Sequence, residues 1–307
     1  MGWEELTRTR LFEPLGMTST SSSHADLEKM PSRATIHRKV NGEWIPSPFP
    51  RNPDAQSPAG GVTSSVNDLA RWMRMMLASG WYEGRQIIDP ETLLDMTQPR
   101  IEDAPATSDA SASYYGLGIF TTVDNTGRER LSHSGIFDAG ASTTCVLVPS
   151  EQLGIVVLTN GQPVGLPEAV AATFLDDVLV GHPTKDWLKH YHDLYAADPA
   201  VFPDERPSSP IPPRPDSAYV GTYESDYYGP AEVAATEDGL VFRIGPKEYT
   251  FPLSPWDGDV FAMEHVGEFT IAADKSLLEF SVGPDGRASS LYVKLLDADR
   301  MGTFTRG

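Results

Sequence analysis

Cysteine is almost absent: Cys145 is the single thiol among 307 residues. One thiol cannot close an intramolecular disulfide or build a cysteine-based zinc site. Its setting in 142–148, a run of β-branched and apolar residues, predicts a packed thiol on a strand. Basic residues are scarce too, with 24 Lys+Arg against 43 Asp+Glu and a formal net charge of −19. That balance excludes the basic stripe of a nucleic-acid binder and works against adhesion to anionic membranes. No apolar run approaches 18 residues, and Met1-Gly2-Trp3-Glu4-Glu5 carries no basic-then-apolar leader. As written the chain reads as cytoplasmic, with a periplasmic or secreted location if an N-terminal signal is missing. Common catalytic signatures are also lacking. There is no Gly-x-x-x-x-Gly-Lys-Ser/Thr loop, no Gly-x-Ser-x-Gly elbow and no His-Glu-x-x-His. His190 and His192 fall on different faces of an expected helix, and neither a metal nor a cofactor is implied.

What remains has the composition of an ordinary globular protein, 40% hydrophobic and 22% charged, long enough for a large domain and a small one. Residues 1–150 carry net −5 and residues 151–307 net −14. The charges are dispersed, which reads as a solvated, mutually repulsive surface.

Periodicity places the elements. Trp3, Leu6 and Leu11 space along a first helix that ends at Pro14-Leu15-Gly16. Residues 17–62 are rich in Ser, Pro and Asn and predict one short hairpin, 34–39 and 43–45, turned at Asn41-Gly42. Ser65, with Asp68 three residues on, resembles a capping box before a helix whose apolar face is Leu69, Trp72, Met73, Met76 and Leu77. Asp89-Pro90 opens a second helix. Strand-like segments follow at 115–122, 130–134, 141–148 and 153–159, with turns at Asn125-Thr126-Gly127 and Pro149-Ser150. They predict an antiparallel meander, followed by helices at 167–180 and 185–196.

Seven prolines between 199 and 215 stiffen the chain and predict a linker. Beyond it, eight or nine short alternating segments, among them 240–244, 269–273 and 277–282, predict a small antiparallel barrel or curled sheet. The expected division is therefore 1–197, a linker over 198–216, and an all-β domain over 217–307.

One short run could carry chemistry: Ser132-His133-Ser134-Gly135 at an expected strand end, followed by Ile136-Phe137-Asp138. His133 can hold or move a proton near neutral pH. Ser134 can hydrogen-bond a substrate oxygen. Gly135 lets a ligand approach the backbone, so that the next N–H faces an oxyanion.

The order of motifs around that run is more specific. Leu11-Phe12-Glu13-Pro14-Leu15-Gly16-Met17 comes first, then Pro58-Ala59-Gly60-Gly61-Val62-Thr63-Ser64-Ser65-Val66-Asn67-Asp68-Leu69-Ala70-Arg71-Trp72. Tyr115-Gly116-Leu117-Gly118-Ile119, His133-Ser134-Gly135 and Leu153-Gly154-Ile155-Val156-Val157-Leu158-Thr159-Asn160 follow. Residues 3 to about 180 thereby resemble the serine β-lactamase and penicillin-binding-protein-like hydrolases, in the class C, esterase and D-aminopeptidase branch. The resemblance implies an α/β (α+β) fold, an antiparallel sheet with flanking helices, here as its C-terminal part. His133-Ser134-Gly135 matches the family's Lys/His-Thr/Ser-Gly motif on the cleft-lining strand. By resemblance, the catalytic groups are the Ile136 N–H, as half of an oxyanion hole, and His133; His133 and Ser134 orient the substrate and stabilise developing charge, and Ser134 and Gly135 bind it. The Gly60-Gly61 loop is given no catalytic role. Tyr219-Val220-Gly221-Thr222-Tyr223 and the strand rhythm after it resemble the lipocalin-like β-domain appended to some of these hydrolases.

The family's nucleophile is the Ser of Ser-x-x-Lys, with Tyr-x-Asn downstream. No lysine here has a serine three residues before it, and no tyrosine has an asparagine two residues after it. A serine hydroxyl is a weak nucleophile without a base beside it, so the expectation is a chain inactive alone. Three readings compete: the C-terminal part of a serine hydrolase acting on an ester, amide or β-lactam; a non-catalytic binding or regulatory protein on the same scaffold; and a truncated gene product. The expected partners are a small-molecule or short peptide substrate if the domain is completed, and either a homo-oligomer or a complementing N-terminal half. The strand at 153–159 is expected to present an unpaired edge and an uncovered apolar face.

Overall fold

Ser65 stops one segment and starts another. Its backbone is extended and its hydroxyl accepts the Asp68 N–H, so the helix α5 (Val66–Leu77) begins where the capping pattern places it. The computed structural model describes all residues except 41, 50–51, 108–110, 125, 197–205, 268, 270–274 and 298–299. The described chain forms two compact units, Met1–Ala197 and Asp198–Gly307.

In the first unit the opening helix is nearly continuous. It runs through α1 (Trp3–Thr7), a π-helical turn and α2 (Glu13–Leu15), and stops at Gly16 in the left-handed conformation. α3 (His24–Lys29) and α4 (Ser57–Gly60) were not foreseen. The hairpin is β1 (His37–Val40) with β2 (Glu43–Pro46); the expected turn residue Asn41 lies outside the described residues. After α5 come the two-residue strands β3 (Trp81–Tyr82) and β4 (Arg85–Gln86), then α6 (Pro90–Thr97), capped by the Asp89 carboxylate on the Glu91 N–H.

The main sheet consists of β5 (Ile101–Ala104), β6 (Ser113–Tyr115), β7 (Phe120–Val123), β8 (Glu129–Phe137), β9 (Ala141–Val148) and β10 (Leu153–Thr159). All neighbours are antiparallel and the spatial order follows the chain, β10-β9-β8-β7-β6-β5, so the meander is present. Three details differ from expectation, the first being β5 as an added edge strand paired with β6. Residues 115–122 are two strands, because Gly118 at φ +81° and the Gly116 N–H to Ile119 carbonyl bond fold the chain back between them. β8 does not stop at Ser134 but continues three residues, paired with β9 through Gly135↔Thr143 to Phe137↔Ala141. Of the expected 125–127 turn, Asn125 lies outside the described residues.

Cross-strand register assigns the two faces. Leu131, Leu147 and Gly154 are opposite one another, as are His133, Cys145 and Val156 one step along; directly paired residues share a face. That face packs on α5, where Met73 joins Leu131, Leu147 and Ile119 in one buried cluster. Ser134, Thr144 and Val157 share the other face, towards α7 (Leu166–Leu179) and α8 (Trp187–Ala196). Helices therefore cover part of both faces. Among the described residues β10 has no strand on its outer side.

In the second unit the chain forms a closed eight-stranded antiparallel barrel. Its strands are β11 (Gly221–Ser225), β12 (Gly229–Thr236), β13 (Gly239–Ile244), β14 (Tyr249–Asp257), β15 (Val260–Glu264), β16 (Lys275–Val282), β17 (Ala288–Val293) and β18 (Thr303–Arg306). Closure is made by β11 with β18, Tyr223↔Arg306. Of the expected strand at 269–273, residues 270–273 lie outside the described residues, as do Pro199 and Pro203 of the expected linker. Alternate residues turn inward, Ala231 and Val233 on β12 and Leu278 and Phe280 on β16. A barrel of eight strands is just wide enough to be filled by side chains or to hold one small ligand. Here rings occupy it: Tyr219, Phe261 and Phe280 pack with centroids 4.6–5.6 Å apart, beside fully buried Phe242, Met263 and Phe304.

Candidate active site

β7 begins at Phe120, which pairs with Ser132. Because the chain turns away at 116–119, β8 runs on past its neighbour, and His133 to Phe137 have β9 on one side and, among the described residues, no strand on the other. The backbone direction along this stretch follows from His133. Its carbonyl receives the Thr144 hydroxyl at 3.5 Å and its N–H faces the Cys145 sulfur, so its main chain is turned to β9. Main-chain polar groups alternate sides along a strand. Ser134 and Ile136 therefore turn theirs to the open side. The Ile136 N–H is thus directed to the open side of β8, and Ile136 is 47% exposed.

His133 sits at the corner where β7 gives out. Its Nδ1 lies 2.7 Å from the Ser134 carbonyl oxygen and its Nε2 2.9 Å from Tyr115 Oη. The ring is flanked by Phe120 and Tyr115, with centroids at 5.5 and 5.8 Å, and those two rings are 4.5 Å from each other. Burial pushes the neighbouring Cys145 thiol up from its usual range, outweighing the His133 N–H that would lower it. The raised value favours the protonated thiol.

Ser134 is placed differently. Its hydroxyl is on the α7 face, donating to Glu168 Oε1 at 2.8 Å and lying 3.0 Å from Thr144 Oγ1. Tyr195 Oη donates to the same Glu168 oxygen at 3.1 Å. Burial, and then the charge of Glu168, push the Tyr195 phenol well up; the same two causes raise Tyr191. His133 and Ser134 are consecutive but their side chains serve opposite faces of the sheet. At Gly135 a Cβ would come within 2.7 Å of Thr143 Oγ1, so a side chain there would crowd β9.

Sequence reasoning did not single out Tyr115, Thr144 or Glu168. Tyr115 stood in a quoted motif, immediately before the Gly116 turn. Thr144 is legible as the cross-strand partner of Ser134 once register is known. Glu168 had no signal, because its partner lies 34 residues away across the sheet. Among the described residues no group of three His, Cys, Asp or Glu side chains could hold a metal, and no helix is long and apolar enough to cross a membrane.

Comparison with known proteins bears on the family and the fold. A family model described as Beta-lactamase matches residues 1–179. The chain belongs to the beta-lactamase family. A second model, described as a domain of unknown function, DUF3471, matches residues 205–305, where the barrel lies. Among curated relatives is unguisins hydrolase ungD' of Aspergillus campestris, 26% identical, covering 94% of this chain and 56% of that protein. Another is the D-alanyl-D-alanine-carboxypeptidase/endopeptidase AmpH of Escherichia coli K12, 28% identical over 50% of this chain and 40% of that protein. The chain thus spans about half the length of the curated relatives it matches. Among solved structures, the octameric penicillin-binding protein homologue from Pyrococcus abyssi is 21% identical. It superposes with a TM-score of 0.53 over 99% of this chain and 60% of that one, a likeness of fold.

Proposed function

We propose that this beta-lactamase-family chain supplies the oxyanion-binding and substrate-positioning wall of a serine hydrolase acting on an ester, amide or β-lactam, within the class C, esterase and D-aminopeptidase branch. The observation that carries the reading is the bare edge of β8. It turns the Ile136 N–H outward, with the His133 imidazole at its root and Gly135 between them. A backbone donor held rigidly by a paired strand is what stabilises a developing oxyanion, because it needs no reorganisation as charge appears. His133 serves as the group beside the reacting centre, and Ser134 and Gly135 serve through their main chain. The domain division follows: residues 1–197 as the C-terminal part of the hydrolase domain, 198–216 as linker and 217–307 as an accessory barrel.

No Ser-x-x-Lys or Tyr-x-Asn occurs in the 307 residues, so this wall needs a nucleophile from outside them. An oxyanion donor without nucleophile and base leaves only residual catalysis. The reading therefore assigns the nucleophile to a complementing N-terminal half, in frame or on a separate chain. The outer edge of β10 would take one of its strands. That edge is apolar (Leu153, Ile155, Val156, Val157, Leu158), half-buried throughout and without a strand partner among the described residues. A non-catalytic binding role is favoured by the same missing motifs.

The test is fluorophosphonate labelling and turnover of a chromogenic ester and a chromogenic cephalosporin, with the 307-residue chain alone and with polypeptide bearing Ser-x-x-Lys and Tyr-x-Asn added. Activity only on complementation, reduced by His133→Ala, supports the reading. Covalent labelling of any serine of the chain alone, or complemented activity indifferent to His133→Ala, overturns it. Persistent absence of turnover after complementation favours the binding role. A stable homo-oligomer in light scattering would assign the β10 edge to a second copy.

A further inference from the structure

The two hydrogen bonds of the His133 ring are not equivalent, and their difference assigns a role to Tyr115. A carbonyl oxygen only accepts, so the 2.7 Å contact between Nδ1 and the Ser134 carbonyl requires the hydrogen on Nδ1. In the neutral ring Nε2 is then bare, and the 2.9 Å contact with Tyr115 Oη is a phenol O–H donating to it. We infer that the Ser134 carbonyl locks His133 in the Nδ1–H tautomer, that Tyr115 is a positioning residue whose phenol holds the bare Nε2, and that protons reach or leave this imidazole at the phenol.

The consequence for the open β8 edge follows from counting hydrogens. When Nε2 gains a proton, its N–H donates to Oη, the bond reverses direction, and the phenol hydrogen is turned off the imidazole. One proton has been gained by the ring, and Tyr115 keeps its own, now free to donate elsewhere. The ring cannot reach this state through Nδ1, which is committed to the Ser134 carbonyl. Nor can it easily rotate to present its other edge. Phe120 and Tyr115 enclose it from two sides, and Phe120 is pinned by its pairing with Ser132 on β8 and Tyr115 on β6. The arrangement is local to the turn at 116–119, which brings Tyr115 and Phe120 side by side at the point where β8 becomes bare. This rests on the reading of that edge as the cleft wall, but the tautomer can be measured whether or not the chain turns over a substrate.

The experiment is a long-range proton–nitrogen correlation spectrum of the His133 imidazole in the full 307-residue chain, nitrogen-labelled, at about pH 8, where an ordinary histidine is neutral. The wild type is expected to show one protonated nitrogen, Nδ1, and one bare nitrogen, Nε2. Tyr115→Phe is expected to keep that tautomer, which the carbonyl fixes, while its Nε2 resonance moves to that of a bare nitrogen with no donor. Phe120→Leu, which loosens the ring packing and leaves both hydrogen bonds, should change neither the tautomer nor the resonance. An Nε2–H tautomer in the wild type overturns the inference, as does an unmoved Nε2 resonance in Tyr115→Phe. If Tyr115→Phe does not fold, the wild-type tautomer decides alone. Failure here leaves the hydrolase reading standing, and failure of labelling or turnover leaves the tautomer lock standing.

Discussion

Ser134 Oγ and Glu168 Oε1 are 2.8 Å apart across the back of the sheet, so the strand carrying the candidate oxyanion donor is tied from behind to the first turn of α7. A rigid edge needs such a tie, because a donor that moves with its strand loses most of its electrostatic effect. Ser134→Ala removes the hydroxyl and leaves Glu168 Oε1 with Tyr195 alone, at an expected cost of about 1–2 kcal/mol. Urea denaturation measures that loss. A changed KM in a complemented enzyme without any loss of stability would return the hydroxyl to the cleft.

Asp124 offers a pH prediction. Burial alone would raise its carboxyl. Hydrogen bonds from the Thr126 hydroxyl and N–H and from the Arg128 N–H and side chain outweigh it and hold the carboxyl far below the ordinary range. Arg130 adds a further contact at 3.2 Å. A depressed native pKa gives stability that is fully present above the unfolded value, about 3.9. It is lost as pH falls from there through the lower native value. The first unit should lose stability progressively below about pH 4, and Asp124→Asn should flatten that acid limb while costing about 1–3 kcal/mol at neutral pH. Thermal melts at stepped pH read both effects.

Gly140, in the β8–β9 turn, has φ +135° and lies against the backbone of His37, whose N and O would each be 2.6 Å from an added Cβ. Gly140→Ala therefore meets both a disfavoured conformation and main-chain atoms that cannot swing aside. The expected loss is about 2–4 kcal/mol, with increased hydrogen exchange in β1 and at the β8–β9 turn. Wild-type protection there would show that the hairpin can shift.

In the second unit Arg306 holds the barrel seam. Its guanidinium donates to Tyr223 Oη at 2.8 Å and to the carbonyls of Val220, Ala218, Tyr219 and Ala288, and it lies 4.9 Å over the Tyr223 ring. Arg306→Lys keeps the charge but cannot reproduce a planar fork reaching several acceptors. It should destabilise the barrel by about 2–4 kcal/mol, read as faster hydrogen exchange in β11 and β18 with β8 and β9 unaffected.

How much of this the residues disclose in advance depends on the range of the cause. The α5 start, the Asp89 cap and the strands at 141–148 and 153–159 were legible because capping and alternation act within a few residues. The break between β6 and β7 was not, since an apolar run through Gly116 and Gly118 carries no period of its own. The extension of β8 to Phe137 was hidden for the opposite reason: Gly135 reads as a strand end, but β9 supplies a partner for it. The His133 region could be found by motif. The separation of His133 and Ser134 to opposite faces is dictated by the two-residue period once the strand continues, and Tyr115 and Glu168 enter only through register and helix placement.

The closed seam between β11 and β18 has a topological consequence. Gly307 N–H bonds the Thr222 carbonyl at 3.1 Å, so the chain leaves the barrel beside the point at which it enters. A unit whose ends meet in this way behaves as a cassette. It can be spliced into a host chain, or rejoined end to end and reopened at a hairpin such as 237–238, without stretching any strand.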